Sequence, residues 1–447
     1  MKFNVCLVFL AFLASVNAAD WPSWRGVNRD GASSETGLLK EWPTDGPSKV
    51  WTAKEAGLGY SSFSVVGDRL YTMGAVDGQE YLIAFNATSG EKLWQVEVGE
   101  KLENGWGGGP RGTPTVSGDL IVCLGGKGRL VCAAKDGSVK WSAELTELGG
   151  KVPNWGYSES PLVDGEVVLC TPGGKDGTVA AFDLQTGEKT WQSIELTENA
   201  HYSSIIAVEH FGTRQYVQLV EKKVFGLDAS GKKLWEAEWP LGRTAVIPTP
   251  IYHEGYVYIT SGYGAGCMLL KIDEGNKLEK LYDNKVMKNH HGGVIRVGDY
   301  IYGHSDGPGW MCQNMVSGEM VWNEKSKLGK GAIAIADGMM YCLDERSGTC
   351  VLAEVTPEGW KEHGRFTLDP QTEQRSPKGK VWTHPVVANG RLWSPVLARS
   401  GNHYLLRHQR LSHPEDTECR EMFSSHRLSI STASSFGILF WPVPFFA

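Results

Sequence analysis

The chain has 447 residues, a net charge of −7 and a pI near 6.0, with 41 % hydrophobic and 10 % aromatic residues. An acidic balance without a basic cluster excludes nucleic acid as a partner. The nine cysteines contain no CxxC and no adjacent pair, which removes the common metal and redox motifs.

Lys2, an apolar run over 5–14 and the small residues at 16–19 predict a secretory signal over 1–19. The apolar run is too short for a membrane span, so the mature chain is expected to be exported, to the periplasm or beyond, without a transmembrane segment. No cysteine follows that run, which argues against lipid attachment.

From Trp51 onward a large residue returns at nearly equal intervals. Trp51, Trp94, Trp141, Trp191 and Trp235 are followed by Leu281, Trp322 and Phe366, spaced by 43, 47, 50, 44, 46, 41 and 44 residues. Five of these tryptophans stand four residues after a turn glycine: Gly90, Gly137, Gly187, Gly231 and Gly318. Between them lie short apolar strands joined by tight turns such as Gly67-Asp68, Asp164-Gly165 and Asn389-Gly390, which tolerate the positive φ of hairpins. Each unit therefore reads as four antiparallel strands, and the units begin near Tyr60, Arg111, Tyr157, Tyr202, Thr244, His290, Lys330 and Trp382. The prediction is an all-β, eight-bladed propeller over 20–409, its last blade completed by the N-terminal strand at Trp51, which removes an open edge. The tryptophan row is read as packing between blades. Cys123 with Cys132, and Cys342 with Cys350, flank tight turns. They read as buried small hydrophobes, with a cross-hairpin disulfide as the alternative. Residues 410–447 break the pattern and read as an atypical tail, either disordered or frameshifted.

Inner strands of a propeller line its central channel, so residues entering them ring one mouth. That position supplies Tyr60, Arg111, Trp155, Tyr157, His201, Tyr202, Arg243, His290, His291, Lys330, Trp382 and His384, with Glu159 as the one nearby acid. Such a ring predicts a cationic, aromatic funnel for a small anionic ligand. Of His290 and His291, adjacent on a strand, only one is expected to face the channel. No GxSxG, HExxH, calcium-loop or phosphate-loop pattern is present. No catalytic residue and no metal ligand are assigned.

Ala181-Phe182-Asp183-Leu184-Gln185-Thr186-Gly187-Glu188-Lys189-Thr190-Trp191 and the matching stretch at 84–94 resemble the pyrroloquinoline-quinone (PQQ)-like propeller repeat. The opening Trp21-Pro22-Ser23-Trp24-Arg25-Gly26 resembles the leader of exported, planctomycete-type members. The resemblance implies one of two branches. Quinoprotein alcohol dehydrogenases, including the polyvinyl alcohol type, carry PQQ and calcium beneath a vicinal disulfide, with a catalytic Asp. Here there is no Cys-Cys pair, no Asp at the mouth, and only Glu159 and Asn154 as a thin calcium shell. In that branch Arg111 and Arg243 would hold the quinone carboxylates. The other branch is the scaffold of outer-membrane protein assembly, matched in length and blade count. The preferred expectation is a monomeric, exported scaffold or binding module for a protein partner or a small anionic ligand. The alternative is a PQQ-dependent dehydrogenase.

Overall fold

The computed structural model describes residues 19–369, 371, 376–396 and 405–410. The predicted signal segment up to residue 18 and the atypical tail beyond Arg410 lie outside them. Apart from one short 3-10 turn, Leu145–Leu148, the regular structure is all strand. Among the described residues no helix is long and apolar enough to cross a membrane.

The described strands form eight sheets, numbered here as blades in chain order. Blades 1 to 6 run from Ser64 to Glu324, each with four sequential antiparallel strands. Blade 7 spans Gly331–Thr367. Blade 8 combines Val386–Ala388, Arg391–Val396 and Leu405–Arg410 with Lys49–Ala53, which pairs antiparallel to Leu405–Arg410. Strand alternation sends successive side chains to opposite faces, and here both faces are buried against neighbouring blades. Phe182, for example, packs toward blade 2, while Ala181 in the same strand packs toward blade 4.

The tryptophan row joins the blades. Trp94 Nε1 donates to Lys135 O (3.0 Å), Trp141 Nε1 to Leu184 O (2.8 Å) and Trp322 Nε1 to Thr356 O (2.9 Å), each acceptor belonging to the next blade. For Trp94 and Trp141 the turn glycine of that next blade, Gly137 or Gly187, lies on the indole. A Cβ at Gly187, where φ is +75°, would stand 2.5 Å from the Trp141 ring. Glycine is needed there twice, for its φ and for the close approach.

One position of the row differs from the sequence reading. A bulge after Leu269 pairs it with Tyr282 and leaves Leu281 turned outward, so Tyr282 takes the tryptophan's place. Its hydroxyl donates to Met315 O of blade 6 at 2.6 Å. Tyr282→Phe is expected to cost about 1 kcal/mol, and Leu281→Ala to stay within about 0.5 kcal/mol. Urea unfolding of the two variants checks the assignment.

The cysteine alternative is settled by register. Cys123 pairs with Val131 and Cys132 with Val122, so the two thiols project from opposite faces of blade 2. Cys342 and Cys350 are related in the same way. Neither pair can bridge within its hairpin. The described cysteines are buried.

The segment before Trp51 does more than lead into the ring: it runs through the channel. Trp21 bridges to Val65 of blade 1, and Pro22 O accepts from Val116 N of blade 2. Trp24 Nε1 reaches Thr249 Oγ1 ahead of blade 5 at 3.0 Å. Arg25 Nη2 donates to Val294 O of blade 6 at 2.5 Å. Arg29 forks to Ser160 O (2.7 Å) and Pro161 O (3.0 Å) at blade 3. Ala32–Ser33 adds a parallel strand inside blade 7, and Glu35 accepts from Gly390 N of blade 8. Both arginines are buried, and burial lowers each to about 10, still protonated at neutral pH.

Candidate functional site

Above this plug the mouth opens as a cavity of about 350 Å³. All eight blades contribute to it. Four tryptophans (Trp24, Trp106, Trp155, Trp382) and three tyrosines (Tyr60, Tyr202, Tyr263) make most of the wall. Between them stand His290, His291, His384, Arg111, Lys330, Lys380 and Glu345.

Nine of the thirteen residues expected at the mouth line the cavity: Tyr60, Arg111, Trp155, Tyr202, His290, His291, Lys330, Trp382 and His384. Four do not. His201 turns to the backbone, its Nδ1 accepting from Val246 N at 3.0 Å. Gly156, at φ +76°, reverses the alternation after Trp155. The Tyr157 ring therefore enters the interface of blades 2 and 3, where its hydroxyl donates to Pro172 O (3.0 Å). Glu159 is turned inward, accepting from Thr171 N (2.6 Å), Thr171 Oγ1 (3.0 Å) and Gln218 Nε2 (3.3 Å). Arg243 lies exposed on the rim with its guanidinium on Tyr263 O, and Ala245 and Ile247 take the wall position of blade 5.

The expectation that only one of His290 and His291 faces the channel is also corrected. Both precede the strand Val294–Val297, in irregular backbone, so strand alternation does not apply to them. Both line the cavity, with ring centroids 3.8 Å apart, and His291 stacks on Trp382 at 4.7 Å. The sequence reading missed Trp24, Tyr263, Glu345 and Lys380. Tyr263 and Glu345 sit in turns between second and third strands. Antiparallel succession brings those turns to the same end as the starts of the inner strands.

The electrostatics are milder than the residue types suggest. Lys330 Nζ donates to Asp306 Oδ1 (2.7 Å) and to His290 Nδ1 (2.5 Å). Arg111 donates to Gly109 O (2.6 Å) and Gly107 O (2.8 Å) and lies 5.5 Å over the Tyr60 ring. Burial lowers His290 and His384 to about 3, with the charges of Lys330 and Arg25 adding to it respectively, and pushes His291 well down. The histidines are neutral at pH 7. Burial raises Glu345, whose Oε2 accepts from Trp382 Nε1 at 3.1 Å. The wall is thus aromatic and hydrogen-bonding, with Lys330 and Arg111 already engaged.

Glu159 supplies a pH test. Burial raises it to about 7, opposed by its bonds to Thr171 and by Arg29. The folded chain holds this proton more tightly than the unfolded chain. The stability it contributes is therefore full below the ordinary carboxylate range and is lost as pH rises through about 7. The urea midpoint should fall between about pH 5 and pH 8, and Glu159→Gln should flatten that slope.

A family model described as outer membrane protein assembly factor BamB matches residues 78–324, just over half of the chain. The chain belongs to this BamB-like, PQQ-repeat family. BamB of Burkholderia pseudomallei is 31 % identical over 165 residues, a match spanning 36 % of this chain and 38 % of that relative. The chain therefore spans well under half the length of the curated relative it matches. The structure of BamB from Moraxella catarrhalis superimposes with a TM-score of 0.57 at 16 % identity, over 82 % of this chain and 98 % of that one. The quinohemoprotein alcohol dehydrogenase of Comamonas testosteroni gives 0.61 at 12 % identity, over 95 % and 84 %. At such identities the two structures speak for the shared propeller alone.

The dehydrogenase neighbour raises the question whether this BamB-like chain suits PQQ and calcium. Calcium takes six to eight oxygen ligands. Among the described residues Glu345 is the one carboxylate on the wall, and Glu159 is committed to Thr171 and Gln218. Among the described residues no group of three or more acidic, histidine or cysteine side chains converges on a metal position. Of the two arginines expected at the quinone carboxylates, Arg111 is spent on carbonyls and Arg243 stands outside the cavity. The residues present do not fit the pair.

Proposed function

We propose that this protein is an exported, monomeric binding module whose partner or ligand enters the aromatic mouth of the propeller, and that it is not a quinoprotein dehydrogenase. The observation that carries this reading is the state of the cavity. Lys330 and Arg111 are internally bonded, burial leaves the histidines only weakly basic, and the one carboxylate among the described wall residues accepts from Trp382, so no strong base stands ready for proton abstraction. Membership of a family described by an outer membrane protein assembly factor supports a binding role, and with it export. The expected anionic ligand loses support, because Lys330 and Arg111 are engaged within the protein.

The planar aromatic walls are the one feature that favours the dehydrogenase alternative. Calorimetric titration of the mature chain with PQQ, with and without calcium, followed by a dye-linked alcohol oxidation assay, separates the two. No saturable heat and no turnover are expected. One-to-one binding with turnover would make the protein a quinoprotein enzyme.

A further inference from the structure

We propose that the cavity binds the ring of an uncharged carbohydrate, stacked on the aromatic wall at Trp382 and hydrogen-bonded by His290, His291 and Glu345. This rests on the binding-module reading and names the chemistry of its ligand.

The unsatisfied polar atoms point that way. An ammonium only donates, so His290 Nδ1 accepts from Lys330 and the neutral ring carries its proton on Nε2. That Nε2–H is buried without a partner. His291 Nδ1 is likewise buried and unpartnered, 3.9 Å from Glu345 Oε2, too far for a direct bond. A single hydroxyl oxygen can lie within about 2.8 Å of both, accepting from one and donating to the other. Buried polar atoms left in this condition are costly unless something meets them. The unmet requirement is for hydroxyl groups that both give and take hydrogen bonds.

Charge narrows the choice. Lys330, Arg111 and Lys380 on the wall disfavour a cation, and Glu345, 3.9 Å from His291 Nδ1, disfavours an anion at that spot. Trp382 supplies a broad face, with His291 stacked on one side of it. A pyranose with equatorial hydroxyls presents a flat patch of C–H bonds to such a face and directs its hydroxyls sideways, toward the polar cluster. The cavity of about 350 Å³ lies at the small end of ligand sites, the size for one or two sugar units.

The test uses the full mature chain and short β-1,4-linked glucose and N-acetylglucosamine oligosaccharides, followed by calorimetry and tryptophan fluorescence, with PQQ titrated in parallel. Saturable binding with altered tryptophan emission is expected, weakened roughly tenfold or more in Trp382→Ala and largely kept in Trp382→Phe. If Trp382→Ala misfolds by circular dichroism, His290→Phe replaces it, keeping a ring while removing the nitrogen, and must also weaken binding. Failure of every neutral sugar on a glycan array overturns the carbohydrate inference and leaves the module reading intact. Sugar binding unchanged in these variants overturns the placement. Turnover with PQQ overturns the module reading itself.

Discussion

Trp141→Ala should lower the stability of the propeller by about 4–5 kcal/mol, close to the whole margin of many domains. The indole is 8 % exposed, sits between blades 2 and 3, and donates to Leu184 O at 2.8 Å. Its loss removes a large buried side chain, leaves a carbonyl unmet and opens a void beneath Gly187, whose backbone was shaped to lie on the ring. The neighbouring blades cannot collapse into that void, because each is also fixed to the blade beyond it. Trp141→Phe keeps most of the volume and loses the hydrogen bond, so about 1–2 kcal/mol is expected. Equilibrium urea unfolding followed by tryptophan emission measures both. A Trp141→Ala loss below about 1 kcal/mol would show that the row is not what joins the blades.

Arg29→Ala should cost about 4 kcal/mol, although the residue lies outside every blade. Its guanidinium is buried in the channel, satisfies Ser160 O and Pro161 O, and is the nearest positive charge to the buried Glu159. Removing it strands a carbonyl and leaves Glu159 without that countercharge. Arg29→Lys should recover part of the loss, since an ammonium reaches one carbonyl but lacks the fork that spans two. Thermal unfolding of the pair measures the difference. Equal stability of Arg29→Ala and the parent chain would reduce the leader to a passive filler.

Much of this architecture was legible in the sequence because one requirement repeats. A turn glycine lies on an indole at Gly90, Gly137, Gly187 and Gly231, and hairpin turns interrupt apolar strands throughout, so periodicity exposes both. The substitution of Tyr282 for Leu281 escaped notice because a one-residue bulge shifts the register, and spacing alone cannot place a bulge. The mouth was found where the rule was applied, at the starts of inner strands. It was missed at Tyr263 and Glu345, where the same geometric rule extends to the second turn of each blade. Tyr157 was misplaced because Gly156 reverses the side on which the next residue emerges. How far the funnel's cations are free to meet a ligand was hidden for a different reason. Lys330, Arg111 and the histidines are charged or basic as residue types, and their availability depends on Asp306, on glycine carbonyls and on burial. None of these is visible in a list of residues.

The threaded leader has a consequence for how the chain folds. Arg25 finds Val294 across 269 positions, and Glu35 finds Gly390 across 355. Lys49–Ala53 waits for Leu405–Arg410. The hub of the wheel is made before the spokes; Trp21, Pro22 and Arg29 meet blades 1 to 3 early, but the rest of the hub waits for blades 5 to 8. Contacts of such sequence separation set a slow folding rate, because long loops must close before any bond repays them. A chain halted before blade 8 would lack the seat for Glu35 and leave Lys49–Ala53 unpaired, with an open edge on either side. Arrival of blade 8 is therefore the step that closes the ring.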